Sequence, residues 1–216
     1  MKIKSLLELQ DRLDKSLSHR KMELTALHLL INRLENTIEI DTILRASILV
    51  MYSHWEGFLK QSSVIYINFV YHQLARGRDF NSNFIALALK KEIKSAGKSK
   101  KTSEHTRLVN SFLNTLEQQI RIDCESLIDT ESNLSSRVLE ELFKTLGIAF
   151  DDYWRKKTQM IDYKLLSKRN LIAHGGLDRI ELDEYKDIYN FVIESLNKFK
   201  TTIEFCATNE AYKNAV

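Results

Sequence analysis

The sequence predicts an all-α fold, a bundle of long helices. Three observations carry that expectation. There is no proline in 216 residues and there are only six glycines, so long helices run without breakers. Apolar residues recur at steps of three and four over windows of twenty residues and more. No stretch of useful length alternates apolar and polar residues with the two-residue period of a strand.

The first helix is expected over 4–36. Leu6, Leu13, Leu17, Leu24, Leu27, Ile31, Leu34 and Ile38 form one stripe, with charged residues between them. His19 and His28 fall on it singly and read as surface or boundary histidines. A second long helix is expected from about 41 to 75, with Leu44, Ile48, Met51, Trp55, Phe58, Ile65 and Phe69 on its apolar side. Residues 47–70 are the most apolar and aromatic part of the chain, which places this helix centrally. Two residues there are out of character. Gly57 weakens a helix interior by about 1 kcal/mol against Ala, and close approach by another helix would explain it. Glu56 is a carboxylate in the most apolar part and requires a partner.

Gly77 ends this pattern, and RGRDFNSN (76–83) reads as a loop. A short helix is expected over 84–93. Then comes KKEIKSAGKSKK (90–101), whose glycine and serines suggest a mobile tract. As a solvated loop it needs no function; as a cationic arm, Lys98, Lys100 and Lys101 would contact RNA phosphates. Helical spacing resumes over 104–122 through Leu108, Phe112, Leu116 and Ile120. Residues 123–133 are acidic and polar and read as a loop. A short helix over 134–146 closes at Gly147. Phe150, Tyr153 and Trp154 stand beside Arg155, Lys156 and Lys157, a cluster that packs against the core more readily than it stacks bases. Two helices complete the chain, one over 158–174 and one from about 183 to 207. Residues 1–216 are thus expected to form one domain, with 77–157 as a helical insertion between the second and third long helices.

Composition excludes several classes. Hydrophobic residues make up 44% and charged residues 28%, ordinary for a globular protein. A formal charge of +3 does not by itself declare a nucleic-acid binder. Cys124 and Cys206 form no disulfide or metal pattern. Charges interrupt the apolar residues of MKIKSLLELQDRLDK, and no run reaches the roughly 18 apolar residues of a spanning helix. The expected location is cytoplasmic, with no membrane partner.

The chemistry concentrates in Lys168-Arg169-Asn170-Leu171-Ile172-Ala173-His174-Gly175-Gly176. Asn170 and His174, four apart, share a helix face. Arg169 lies about 140° of arc from His174 at roughly 100° per residue, so it reaches a common site by curling or meets one supplied by a second chain. His174 falls in the last helical turn, and Gly175 is suited to a left-handed cap. Such a set serves a phosphodiester flanked by a 2′-hydroxyl, which only RNA offers. His174 is an acid or base near neutral pH. Arg169 holds phosphate oxygens and offsets developing charge. Asn170 hydrogen-bonds the phosphate or fixes the imidazole, Glu56 orients Arg169 if the second helix packs there, and Lys168 adds a cation for RNA. No metal or cofactor is called for, since HExxH, paired cysteines and acidic clusters are missing from the sequence.

Two stretches, LLSKRNLIAHGG and SILVMYSHWEGFLKQ, resemble the HEPN superfamily. Its hallmark is Arg-x(4–6)-His near the end of a late helix, with a polar residue directly after the Arg; here these are Arg169, Asn170 and His174. Trp55-Glu56 is similar to the family's aromatic-acid pair, whose acid faces the motif arginine. The resemblance implies a bundle of four to five helices and a metal-independent endoribonuclease of toxin or phage-defence type. It implies a homodimer with two Arg/His pairs in one cleft, and products bearing a 2′,3′-cyclic phosphate and a 5′-hydroxyl. An antitoxin or defence-system protein would be a partner. One branch of the family carries a tyrosine two residues after the histidine, modified by a partner enzyme; Gly176 stands there in this chain. The alternative is a catalytically inactive dimer that binds nucleotide, RNA or protein, and a third reading is a purely structural helical adaptor.

Overall fold

The computed structural model describes residues 2–34, 38–120, 127–128 and 133–214. Two helices, α1 (Leu6–Ile31) and α2 (Ile38–Val70), pack along each other, and the last, α9 (Leu182–Thr208), packs against both. Among the described residues there is no strand, only one isolated antiparallel bridge between Phe80 and Lys213. The all-α expectation holds.

Local chemistry starts and stops these helices where they are found. Ser5 caps α1: its hydroxyl accepts from Glu8 N at 3.2 Å, while Glu8 accepts from Ser5 N at 3.3 Å. This reciprocal box is worth about 1 kcal/mol. Leu9, Leu13, Leu17, Leu24 and Ile31 then give α1 its buried stripe. In α2, Met51, Tyr52, Trp55, Phe58 and Leu59 are all buried. What lies over Gly57 is a side chain and not the backbone of another helix. A Cβ there would lie 3.3 Å from Arg20 Nη1, the end of a side chain reaching over from α1.

The segment between α2 and the late helices differs from the sequence reading. The one helix expected over 84–93 is two, α3 (Ser82–Ala88) and α4 (Lys90–Gly97), broken at Leu89. Much of the tract read as a mobile loop is therefore helical. Ala96 is buried and Lys90 Nζ donates to Leu127 O at 3.1 Å, which anchors it. Helix α5 (Thr102–Glu117) follows. Of the acidic stretch 123–133, residues 123–126 and 129–132 lie outside the described residues. Helix α6 (Ser136–Leu146) ends on Gly147 in the left-handed conformation, φ 68°. In α7 (Asp152–Lys156), Trp154 is fully buried against Phe143 and Phe199. The aromatic cluster thus packs a connection to the core, as its composition favoured.

The helix expected over 158–174 is not uniform. Met160–Ser167 is π-helical and runs directly into α8 (Lys168–Ala173). Ser167 Oγ donates to Asp162 O at 2.7 Å across this wider turn. The Asp162 carboxylate accepts from Ser136 N at 2.7 Å and Ser136 Oγ at 2.5 Å, tying the start of α6 to the π-helical segment. π-Helical insertions shift helix register and recur at functional sites. This one ends at Ser167, two positions before Arg169.

Candidate functional site

The site is assembled where α8 crosses α2. Helix α8 ends in a tight glycine cap. Gly175 takes φ 79° and Gly176 N donates to Leu171 O at 2.8 Å, so the chain turns directly after His174. Both glycines are required, for different reasons. Gly175 has the left-handed backbone, whereas a Cβ on Gly176 would fall 2.3 Å from Leu171 Cδ1 and 2.8 Å from Leu171 O. From α2, Arg45 Nη2 donates to Gly176 O at 2.6 Å and fixes the turn to the bundle.

Arg169 is half-buried. Its guanidinium lies 4.5 Å from the centre of the Tyr52 ring, in cation–π contact. Arg169 Nη1 donates to Asn170 Oδ1 at 2.6 Å and to Asn133 Oδ1 at 3.4 Å. Asn170 therefore braces the arginine, and no hydrogen bond joins its side chain to the imidazole among the described residues. Tyr52 is almost wholly buried. Its hydroxyl accepts from Leu134 N at 2.7 Å and hydrogen-bonds the Glu56 carboxylate. Burial, and after it the charge of Glu56, pushes the Tyr52 phenol up to about 12. The phenol stays a neutral donor throughout the physiological range.

Arg169, Glu56 and Tyr52 line one cavity of about 400 Å³, with Leu49, Ser53 and Lys60. Glu56 and Arg169 line this cavity together, with Tyr52 between them. His174 is not among the residues lining this cavity. It caps α8 through its own N–H to Asn170 O at 3.1 Å, and its exposed ring has no hydrogen-bond partner among the described residues.

The predicted lysines divide. Lys168 turns into the bundle and forms ion pairs with Asp178 at 2.9 Å and Glu184 at 3.2 Å. Burial alone would lower its pKa; the hydrogen bonds to these two carboxylates outweigh it and raise it. Lys98, Lys100 and Lys101 are exposed between α4 and α5 and do not line the Arg169 cavity. A larger cavity, about 1160 Å³, opens between α3 and α6 and holds neither Arg169 nor His174. Among the described residues no group of three or more His, Cys, Asp or Glu is placed to hold a metal ion. No helix among them is long and apolar enough to cross a membrane.

Sequence reasoning missed three contributors. Tyr52 reads as core by its spacing, and Asn133 sits in a polar stretch without periodicity. Arg45 looks like a surface cation of α2. Only the position of Tyr52, one helical turn before Glu56, carried a usable signal.

Comparison with curated proteins returned no match, and neither did comparison with solved structures. The family model described as RiboL-PSP-HEPN matches residues 15–204. That span holds α2, α8 and every residue of the cavity described above. The chain belongs to the RiboL-PSP-HEPN family, and through it to the HEPN superfamily.

Proposed function

We propose that this protein is a metal-independent endoribonuclease whose reaction is carried by Arg169 and His174. Family membership supports the broader class, a nuclease or an RNA-related binding module. The observation that supports catalysis is the contrast between the two residues. Arg169 is held by Tyr52, Asn170 and Asn133, while the imidazole of His174 stands exposed at a rigid helix end. A braced cation and, on the same helix, a titratable group that is not committed elsewhere suit transphosphorylation once a second chain brings such a pair into one cleft.

In this reading the 2′-oxygen attacks the adjacent phosphorus as its proton leaves to a base. The bond to the 5′-oxygen breaks, and that oxygen takes a proton from an acid. The products are a 2′,3′-cyclic phosphate and a 5′-hydroxyl. His174 exchanges one of these protons. Arg169 lies against the phosphoryl oxygens and offsets the charge that grows on them. Glu56 and Tyr52 hold Arg169 in place, and Asn170 engages its Nη1, which leaves Nε and Nη2 to the phosphate. Lys98, Lys100 and Lys101 add phosphate contacts to a longer RNA.

A homodimer supplies the second Arg/His pair. Two observations support it. The cavity around Arg169 does not include His174 of the same chain. The end of α8 also exposes Leu171, and the chain just beyond it exposes Leu177 at 92%, apolar surface that a second chain would cover. A toxin or phage-defence role in the cytoplasm, restrained by an antitoxin or defence-system partner, is the setting we infer for such an enzyme. The separation of His174 from the Arg169 cavity also favours one other reading, a dimer that clamps RNA or nucleotide through Arg169 without turnover.

The experiment is cleavage of mixed RNA in chelator by wild type and His174→Ala, with the product ends identified. Wild-type cleavage leaving cyclic phosphates, reduced about 10²–10⁴-fold in the variant, is expected. Cleavage that His174→Ala leaves unchanged would overturn the assignment. RNA binding without turnover would favour the clamp.

A further inference from the structure

A second groove, about 730 Å³, runs between α1 and α2 and is lined by Arg12, Lys15, His19, Arg20, His54 and Gln61, among others. On α1, Arg12, Lys15 and His19 are spaced so that they fall along one helix face. Gln61 closes the other wall, where its Oε1 accepts from Ser16 Oγ at 2.7 Å and Arg20 Nη2 at 3.0 Å. Val64 and Ile65 contribute an apolar part of the lining.

This groove adjoins the Arg169 cavity. Gly57 lines that cavity, and Arg20, which lines the groove, lies directly over Gly57. Lys60 belongs to the cavity and the next residue, Gln61, to the groove. A side chain in place of Gly57 would stand between the two. The absence of a Cβ on α2 there makes room for the Arg20 guanidinium, which sits at the junction.

Cations outnumber carboxylates along this path, with Glu56 an acid in the cavity lining. Arg12, Lys15, Arg20 and Lys60 follow one another along groove and junction. The neighbouring carboxylate, Glu23, is bound between two imidazoles, His54 at 2.9 Å and His19 at 3.3 Å. Neither Lys15 nor Lys60 forms an ion pair among the described residues. A row of cations above an apolar floor fits a strand with regularly spaced phosphates and flat bases.

We infer that the α1–α2 groove carries the single-stranded RNA onward from the phosphate held at Arg169, with Arg12 and Lys15 contacting phosphates away from the cut. This rests on the nuclease reading for the identity of the polymer, and not for the groove's charge or its continuity with the cavity.

The test is binding of an uncleavable 2′-O-methyl oligoribonucleotide of about 12 nucleotides, followed by anisotropy over a range of salt, for wild type and the Arg12→Gln/Lys15→Gln double variant. Both side chains are exposed, so the fold is retained, and a melting curve checks it. Each phosphate contact on a single strand contributes about 0.7 to the slope of log K against log salt. The double variant should therefore flatten the slope by about 1.4. An unchanged slope, or no detectable binding by wild type, overturns the inference; an acidic protein segment as the true occupant would give that result. The nuclease reading fails by a different measurement, the absence of wild-type cleavage. A flattened slope without cleavage leaves the groove standing and removes only the enzyme.

Discussion

The guanidinium of Arg169 lies 4.5 Å from the centre of the Tyr52 ring, whose hydroxyl links the Leu134 N–H to the Glu56 carboxylate. One tyrosine thus serves two ends of the site. Its face holds the cation and its edge secures the approach to α6. The two roles separate by substitution. Tyr52→Phe keeps the ring and leaves a buried N–H unsatisfied, so stability falls by about 1–3 kcal/mol, while cleavage falls less than about tenfold, because the cation–π contact persists. Tyr52→Leu removes the face as well, and cleavage falls further by the 2- to 30-fold that about 0.5–2 kcal/mol represents. Urea unfolding and steady-state cleavage check both. Equal cleavage by the two variants would show that the ring does not hold Arg169.

The turn after His174 makes a second prediction. Gly175→Ala places a Cβ on a left-handed backbone and costs about 1–2 kcal/mol. Gly176→Ala costs more, because its Cβ would meet the Leu171 carbonyl as well as a side chain. Relief requires the turn to move, and His174 moves with it. Cleavage by Gly176→Ala should therefore fall at temperatures where the melting curve shows it fully folded. Full activity in that variant would mean that the position of His174 is not set by this cap.

Lys168 separates scaffold from substrate contact. It is held by Asp178 and Glu184, so Lys168→Met leaves two half-buried carboxylates facing each other. Removing one partner of a fully buried pair costs about 3–5 kcal/mol; partial exposure here reduces the expected loss to roughly 1–3 kcal/mol. The folded pKa of Lys168 is raised. Its contribution is therefore complete below the ordinary value of 10.5 and is lost as pH rises through the folded value. Wild type should lose stability above about pH 10.5 more steeply than Lys168→Met, as read by chemical unfolding. The salt slope of RNA binding should not change. A flattened slope would instead make Lys168 a phosphate contact.

The parts legible in the sequence are those that local spacing encodes. Stripes such as Leu13-Leu17-Leu24 mark the long helices, and Gly147 and Gly175 mark where helices stop. The motif was readable because Arg169, Asn170 and His174 sit within six residues of one helix. What was not readable depends on contacts across the chain. Asn133 and Leu134 reach the site through contacts with Arg169 and Tyr52, just before Ser136, which Asp162 ties to the π-helical segment across 26 residues of sequence. The inward turn of Lys168 depends on carboxylates 10 and 16 residues downstream. The π-helical segment itself has no sequence signature here: Met160–Ser167 has the apolar spacing of an ordinary helix. The tract at 90–101 misled because lysine, serine and glycine suggest a loop, while burial of Ala96 and the bond from Lys90 to Leu127 make most of it a helix.

His54 supplies the last prediction, an acid sensitivity located in the α1–α2 groove. Burial lowers its pKa below 6.5, and the nearby Arg20 and His19 act in the same direction, against the attraction of Glu23. A group with a depressed folded pKa binds protons less readily in the native state than in the unfolded chain. Above pH 6.5 both states are neutral and there is no penalty. As pH falls below 6.5 the unfolded chain takes up a proton that the native His54 resists, and stability is lost until the folded pKa is reached. His54→Gln removes this term and should lose less stability than wild type between pH 7.5 and 5.5, measured by urea unfolding at both values. An NMR titration of the His54 ring gives the direct check, with a midpoint below 6.5 expected. A midpoint at or above 6.5 would mean that the ion pair with Glu23, at 2.9 Å, dominates over burial, and the acid loss would then have to originate elsewhere.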